Sequence, residues 1–196
     1  EPAPAIERRV HQALRHAADA SFNMITVDGD SSTNDMAVIM ANGMAGNKEI
    51  KEEGLDYTYF RDALTAVCTS LARAIARDGE GATKMIEVKV RGAVTEQDAR
   101  LAARSVAGSS LVKAAVFGND ANWGRVICAA GYSGAVFAPD KFDIFLGDVQ
   151  VARDCGSLGF SEELALEALK QDTVTITIDF KSGGCGATAW GCDLSY

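Results

Sequence analysis

No apolar run in this chain approaches the roughly 18 residues needed to cross a bilayer. No segment shows the charged, apolar and small-residue succession of a secretory leader. Positive charge is in deficit, with 19 Lys and Arg against 27 Asp and Glu and a net charge of −8. Nucleic acids and anionic membranes both recruit an excess of Lys and Arg, so neither is expected as a partner. Histidine is scarce. His11 and His16 lie five apart on a helical pattern, about 140° around its axis. They cannot easily share a metal, and both read as surface residues. The cysteines (Cys68, Cys128, Cys155, Cys185 and Cys192) are odd in number and form no C-x-x-C pair. That argues against a disulfide framework or a zinc site and for free thiols in a reducing compartment. Internal repeats and low-complexity tracts are absent.

What remains is an ordinary globular composition. A chain of 196 residues, 47% of them hydrophobic, can build one large or two small domains with a sizeable core. From about Pro4 to Ala20, apolar Ile6, Val10, Ala13, Leu14 and Ala17 recur at helical spacing. Phe22 to Val27 reads as a strand. Phe60, Ala63, Leu64, Val67, Cys68, Leu71 and Ile75 predict a second helix through Arg77, with Gly79 and Gly81 as stops. Met85 to Val90 reads as a strand. Thr95 to Asp98 opens a helix like a loose capping box, and Gly108 closes it. Leu111 to Phe117 reads as a short strand, giving a βαβ unit with adjacent parallel strands. A helix from about Asn122 to Ala130 follows, with Asn119 and Asp120 as candidate caps and Trp123 as a core residue. Phe142 to Val151 predicts one or two strands broken near Gly147. Ser161 opens a short helix ending near Lys170. Thr173 to Phe180 alternates cleanly, with Val174, Ile176, Ile178 and Phe180 inward. Ala187 to Leu194 predicts a last strand.

Two stretches carry chemistry. The first is Asp28-Gly-Asp-Ser-Ser-Thr-Asn-Asp35, a dense polar loop between apolar Phe22–Val27 and Met36–Ala41. Short polar side chains of this kind bond nearby backbone and favour turns and caps. A hydrogen-bonded structural turn and a functional site are both open readings. A calcium loop fails, because the sixth residue from Asp28 is Thr33 rather than Gly and the twelfth is Ile39 rather than Glu. A magnesium-dependent phosphatase with an Asp nucleophile has a superficial match in Asp28-Gly-Asp30-Ser-Ser32, but no convincing late acidic pair accompanies it. The second stretch is Gly79-Glu-Gly-Ala-Thr-Lys84, where a carboxylate stands between two glycines beyond a helix C-terminus. The electrostatics there are mildly unfavourable, and on the residues alone Glu80 is a solvated loop residue. Gly183 to Gly186 is a flexible loop without the Lys and Ser/Thr of a phosphate-binding loop.

Ser21 to Asp35 closely resembles the ornithine acetyltransferase (glutamate N-acetyltransferase) family of arginine biosynthesis. Further blocks agree in the same order: Asp78-Gly-Glu-Gly-Ala-Thr-Lys84, Val116-Phe-Gly-Asn-Asp-Ala-Asn-Trp-Gly-Arg125 and Thr188-Ala-Trp-Gly-Cys-Asp-Leu194. Separated blocks spread over nearly the whole chain are far more specific than a single short motif.

The resemblance implies an α+β fold like that of N-terminal-nucleophile hydrolases, a layered α/β/β/α sandwich. Residues 1–84 would belong to that lobe, and 85–196 would form a second α/β lobe with the return strands. It implies an acyltransferase moving acetyl from N2-acetyl-L-ornithine to L-glutamate. The intermediate would be an acetyl-threonine at the N-terminus of a β chain, created when a precursor cuts itself. The threonine and the oxyanion hole are expected upstream of Glu1, so no catalytic residue is expected within these residues. Thr26, Ser32 and Thr33 are excluded as nucleophile because none can be N-terminal. Only Glu80 carries over as a substrate-binding residue; Thr83 and Lys84 read equally as support for the site or as the opening of the next strand. Asp28, Asp30, Asn34 and Asp35 are expected to brace the site through hydrogen bonds. The implied partner is an α chain from the same precursor, in a heterotetramer of two α and two β chains in the cytoplasm. No metal or cofactor is implied, with acetyl-CoA as a candidate second donor. The competing readings are the phosphatase and a non-catalytic paralogue serving as a binding subunit.

Overall fold

The computed structural model describes residues 5–194. The chain divides into two compact units. The first comprises the segment ending at Asn23 together with Ser31–Arg73, and the second comprises Met24–Asp30 and the chain from Ala74 onward. The first unit contains helix α1 (Ala5–Ala20) and most of helix α2 (Leu55–Arg77). Pro4, the expected start of α1, lies outside the described residues. Ala13 and Ala17 of α1 are fully buried, and Arg9 reaches Glu53 and the Tyr57 ring. Ser31 to Gly54 contains no helix or strand, and Met36, Val38, Met40 and Met44 are exposed.

The second unit is built on one six-stranded sheet in the order β4-β3-β2-β5-β1-β6. Its strands are β1 (Met85–Ala93), β2 (Asp143–Leu146), β3 (Val149–Arg153), β4 (Gly156–Ser157), β5 (Thr173–Asp179) and β6 (Cys185–Cys192). Strand β1 runs parallel to β5, with Met85 opposite Thr173, and antiparallel to β6, with Val88 opposite Ala189. Every other pairing is antiparallel. The α+β class is therefore as expected.

The registers align one apolar face. Ile86, Val88 and Val90 sit opposite Val174, Ile176 and Ile178, and Ile144 and Leu146 of β2 extend the same rows. All eight are almost wholly buried. Helix α3 (Glu96–Gly108) packs on β1 and β6. It does so through a strip of small residues, Ala99, Ala102, Ala103, Val106 and Ala107. The β6 surface is equally small: a Cβ at Gly191 would come within 3.0 Å of the Ala107 carbonyl oxygen. Small residues on both surfaces permit this close approach. Helix α6 (Glu162–Leu169) covers β2, β3 and β5. Its Ser161 cap accepts from Leu164 N, as the sequence predicts.

Three local expectations are corrected. Leu111–Phe117 is not a strand but helix α4 (Ser110–Phe117). Ser109 caps it by accepting from Val112 N, and Lys113, Ala114 and Ala115 are good helix formers. Seven mostly apolar residues do not distinguish a strand from a buried helix by periodicity. The predicted βαβ unit goes with it: the parallel neighbour of β1 is β5, some eighty residues later in the chain. Phe22–Val27 is not a strand either. Phe22–Met24 forms a 3-10 turn, and only Ile25 bridges to Trp190, with Thr26 N donating to the Trp190 carbonyl. Finally, α5 (Trp123–Gly131) is capped by Asn122, not by Asn119 or Asp120. Trp123 packs half-buried against the core.

Ile178 is fully buried at the centre of the aligned rows. Ile178→Ala should cost roughly 2–5 kcal/mol. Thr177→Ala, on the opposite face of the same strand, should cost about 1 kcal/mol or less. Urea denaturation of both variants measures the difference.

Candidate functional site

Helix α2 ends at Arg77, and the chain must turn within a few residues to enter β1 at Met85. Ala82 N donates to the Gly79 carbonyl at 3.0 Å. This closes a four-residue turn whose third position is Gly81, with φ of +71°. A positive φ at that position is the requirement of a type II turn, and glycine meets it without strain. Glu80 occupies the second position, at the exposed tip. Among the described residues its carboxylate has no hydrogen-bond or ion-pair partner, so it is free to meet a ligand.

Both ends of this turn are held. On the leading side, a Cβ at Gly79 would lie 2.7 Å from Cys192 Sγ and 3.0 Å from Val27 Cγ1. Only a glycine lets the backbone press that closely on β6 and on the lead-in to the polar loop. On the trailing side stands Asp193, 3% exposed. Its Oδ1 accepts from Thr83 N at 2.8 Å and Lys84 N at 2.9 Å, and its Oδ2 accepts from Thr83 Oγ1 at 2.5 Å. Its own N–H donates to the Lys84 carbonyl at 3.1 Å.

Two lysines complete the surroundings. Lys84 Nζ donates to the Val116 carbonyl at 3.0 Å and to Asn119 Oδ1 at 2.6 Å. A cation on the last carbonyls of α4 suits the negative end of that helix. Asn119 presents its oxygen from a left-handed conformation, φ +54°, which Asn tolerates better than most residues. Lys113 is buried on α4, and its Nζ donates to the Val27 carbonyl, pinning the backbone one residue before Asp28. Burial pushes the Cys192 thiol upward. Lys113 opposes that shift, and the Asp193 and Asp28 carboxylates add to it.

The polar loop behaves as its composition predicts locally. Asp28 Oδ1 accepts from Asp30 N at 2.8 Å, and Ser32 Oγ accepts from Asn34 N at 3.0 Å. Asp28 and Asp30 belong to the unit that carries Glu80, and Asp28 lies near enough to influence Cys192. Asn34 and Asp35 belong to the first unit, are exposed, and show only local bonding, Thr33 Oγ1 donating to Asn34 Oδ1 at 3.3 Å. Thr83 and Lys84 are tied to Asp193 and to the end of α4.

Sequence reasoning named Cys192 and Asp193 only as a free thiol and as part of the Thr188–Leu194 block, without a role at the site, and passed over Lys113. A carboxylate closing an apolar strand, and a lysine within an apolar run, were the available signals. Among the described residues no group of three or more His, Cys, Asp or Glu side chains gathers as a metal site. A cavity of about 310 Å³ in the first unit is lined by Gln12, His16, Glu53, Gly54, Tyr57, Thr58 and Arg61, with no candidate site residue among them.

The protein class is an α+β chain whose presented carboxylate sits on a braced turn. The crystal structure of arginine biosynthesis bifunctional protein argJ from Bacillus halodurans matches it with a TM-score of 0.93 at 47% identity, covering 96% of this chain and 89% of that one. The ArgJ family model matches residues 3–196. The chain is 58% identical over 187 residues to the arginine biosynthesis bifunctional protein ArgJ of Symbiobacterium thermophilum, and 52% identical to that of Geobacillus kaustophilus. Each alignment covers 95% of this chain and 46% of the relative, so the chain spans about half the length of the curated relatives it matches. The chain belongs to the ArgJ family. That membership removes the phosphatase reading of Asp28–Ser32.

Gly79→Ala should lower stability by roughly 1–3 kcal/mol through overpacking. Adding Cys192→Ala should recover part of the loss by removing the sulfur; thermal unfolding of the single and double variants checks this. Because Cys192 is buried and that burial pushes its thiol upward, iodoacetamide should alkylate it far more slowly than exposed Cys128 and Cys155. Peptide mass mapping of the native protein over time reads those rates.

Proposed function

We propose that this chain is the β chain of a glutamate N-acetyltransferase, moving acetyl from N2-acetyl-L-ornithine to L-glutamate in arginine biosynthesis. The observation that carries the reading is the identity of more than half of 187 residues to a protein named as the bifunctional ArgJ of arginine biosynthesis. The braced turn presenting Glu80 supports it.

In this mechanism the N-terminal threonine of the β chain is the nucleophile and its own amine is the base. The hydroxyl adds to the acetyl carbonyl as the amine takes its proton. An oxyanion hole supplied by the α chain stabilises the tetrahedral intermediate. Collapse breaks the amide bond, the ammonium returns the proton to the departing nitrogen, and ornithine leaves. The amine of glutamate then attacks the acetyl-threonine ester and regenerates the free hydroxyl. Both substrates place a nitrogen next to the transferred acyl group. A carboxylate fixed nearby, as Glu80 is in this reading, accepts a hydrogen bond from that nitrogen in each half-reaction. No metal or cofactor takes part, and acetyl-CoA serves as a second donor by acylating the same threonine. The α and β chains come from one precursor and assemble as two of each in the cytoplasm.

Intact mass spectrometry of the full-length gene product tests this reading. Two chains are expected, the second beginning at threonine, gaining one acetyl group with N-acetylornithine and losing it to glutamate. A single uncut chain that never gains an acetyl group would overturn the mechanism and favour a non-catalytic subunit. Glu80→Gln should lower kcat/KM by roughly 10- to 100-fold, the loss of one hydrogen bond to a charged group, with self-cleavage intact.

A further inference from the structure

Glu80 is exposed and makes no side-chain bond of its own among the described residues, so within this chain it is aimed through its backbone. The two adjacent residues at the end of β6 grip both ends of its turn. Cys192 abuts Gly79 immediately before Glu80, and Asp193 binds Thr83 and Lys84 immediately after the turn. The buried Asp193 carboxylate takes three hydrogen bonds from those two residues, one of them from the Thr83 hydroxyl. Tying two successive amides and a side-chain hydroxyl to one carboxylate fixes the trailing strand in both position and rotation. The sheet alone would align β1 from Met85 onward without orienting the turn before it. The lead-in to the polar loop joins the same clamp, since Val27 touches the Gly79 position and its carbonyl is held by Lys113.

We propose that Asp193 is a positioning residue for the acetyl-transfer reaction, setting the placement of the Glu80 carboxylate through Thr83. The proposal rests on the reading of Glu80 as the substrate contact. Asp193 itself is buried, 3% exposed. Its effect is geometric, and a displacement of about 1 Å at a substrate-positioning group is enough to cost one to two orders of magnitude in rate.

Asp193→Ala is a poor probe because it strands two amides and risks the fold. Thr83→Val is close in shape, removes only the hydroxyl donor and leaves both amide bonds to Oδ1. In the full-length, self-processed enzyme, Thr83→Val is expected to lower kcat/KM for acetyl transfer from N-acetylornithine to glutamate by roughly tenfold. Thr83→Ser, which restores the hydroxyl, should recover most of that loss. Asp193→Asn, which keeps an acceptor for the amides but turns the other atom into a donor, should shift kcat/KM in the same direction. A merely structural clamp and a positioning clamp part company in the Glu80→Ala background. There, Thr83→Val should add no more than about twofold, because the group it misplaces is already gone. Losses that multiply in the double variant, or an unchanged Thr83→Val enzyme, overturn the positioning role while leaving Glu80 as a substrate contact. An unchanged kcat/KM in Glu80→Ala alone overturns the substrate-contact reading and the proposal with it.

Discussion

A carboxylate removed from water must be met by donors, and Asp193 meets that demand with the backbone that leads into β1. The consequences reach in two directions. Along the chain, β1 is fixed at its first residues, so its register with β5 and β6 begins at a defined point. Across the sheet, β6 becomes more than an edge strand. Its last residue carries the thiol that abuts Gly79, and the next residue, Asp193, carries the carboxylate that holds Thr83. Burying an acidic group costs stability unless hydrogen-bond donors meet it. Three donors on one carboxylate answer that cost.

Small residues make this geometry reachable. The alanine strip of α3 lies against β6, with Ala107 over Gly191, which brings the helix axis close to the strand. Larger residues on either surface would lift α3 and, with it, the start of α4, where Lys113 pins Val27. Gly79 plays the same part at the turn. The braced carboxylate, the two lysines and the polar lead-in thus depend on a run of positions where side-chain volume is kept near zero.

Local signals were legible wherever one rule acted alone. Strand β5 alternates strictly, and its three inward residues are the buried ones, as is Phe180 just beyond it. Ser161 and Thr95 announce their helices through capping chemistry that needs no tertiary support. The turn at Gly147 divides β2 from β3 where the apolar run breaks. Misreadings fell where a short apolar segment lacked a period. Leu111–Phe117 became a helix because Ser109 caps it and the α3 face was there to cover it, and Phe22–Val27 lost its strand character because only one residue of it reaches Trp190. The long-range parallel pairing of β1 with β5 left no mark in the residues between them.

The sequence by itself determined the family, the strand alternation, the capped helices and Glu80 as the residue of interest. Those features are written in local composition and in motifs that read without coordinates. Only the tertiary structure decided what holds Glu80. Asp193, Cys192 and Lys113 come from segments over a hundred and about thirty residues away, and each looks locally like part of an apolar strand or helix. Their role arises because the sheet order brings the end of β6 beside the start of β1. Hydrogen bonding and close packing are blind to separation along the chain, so a pairing set by sheet topology cannot be read from neighbouring residues.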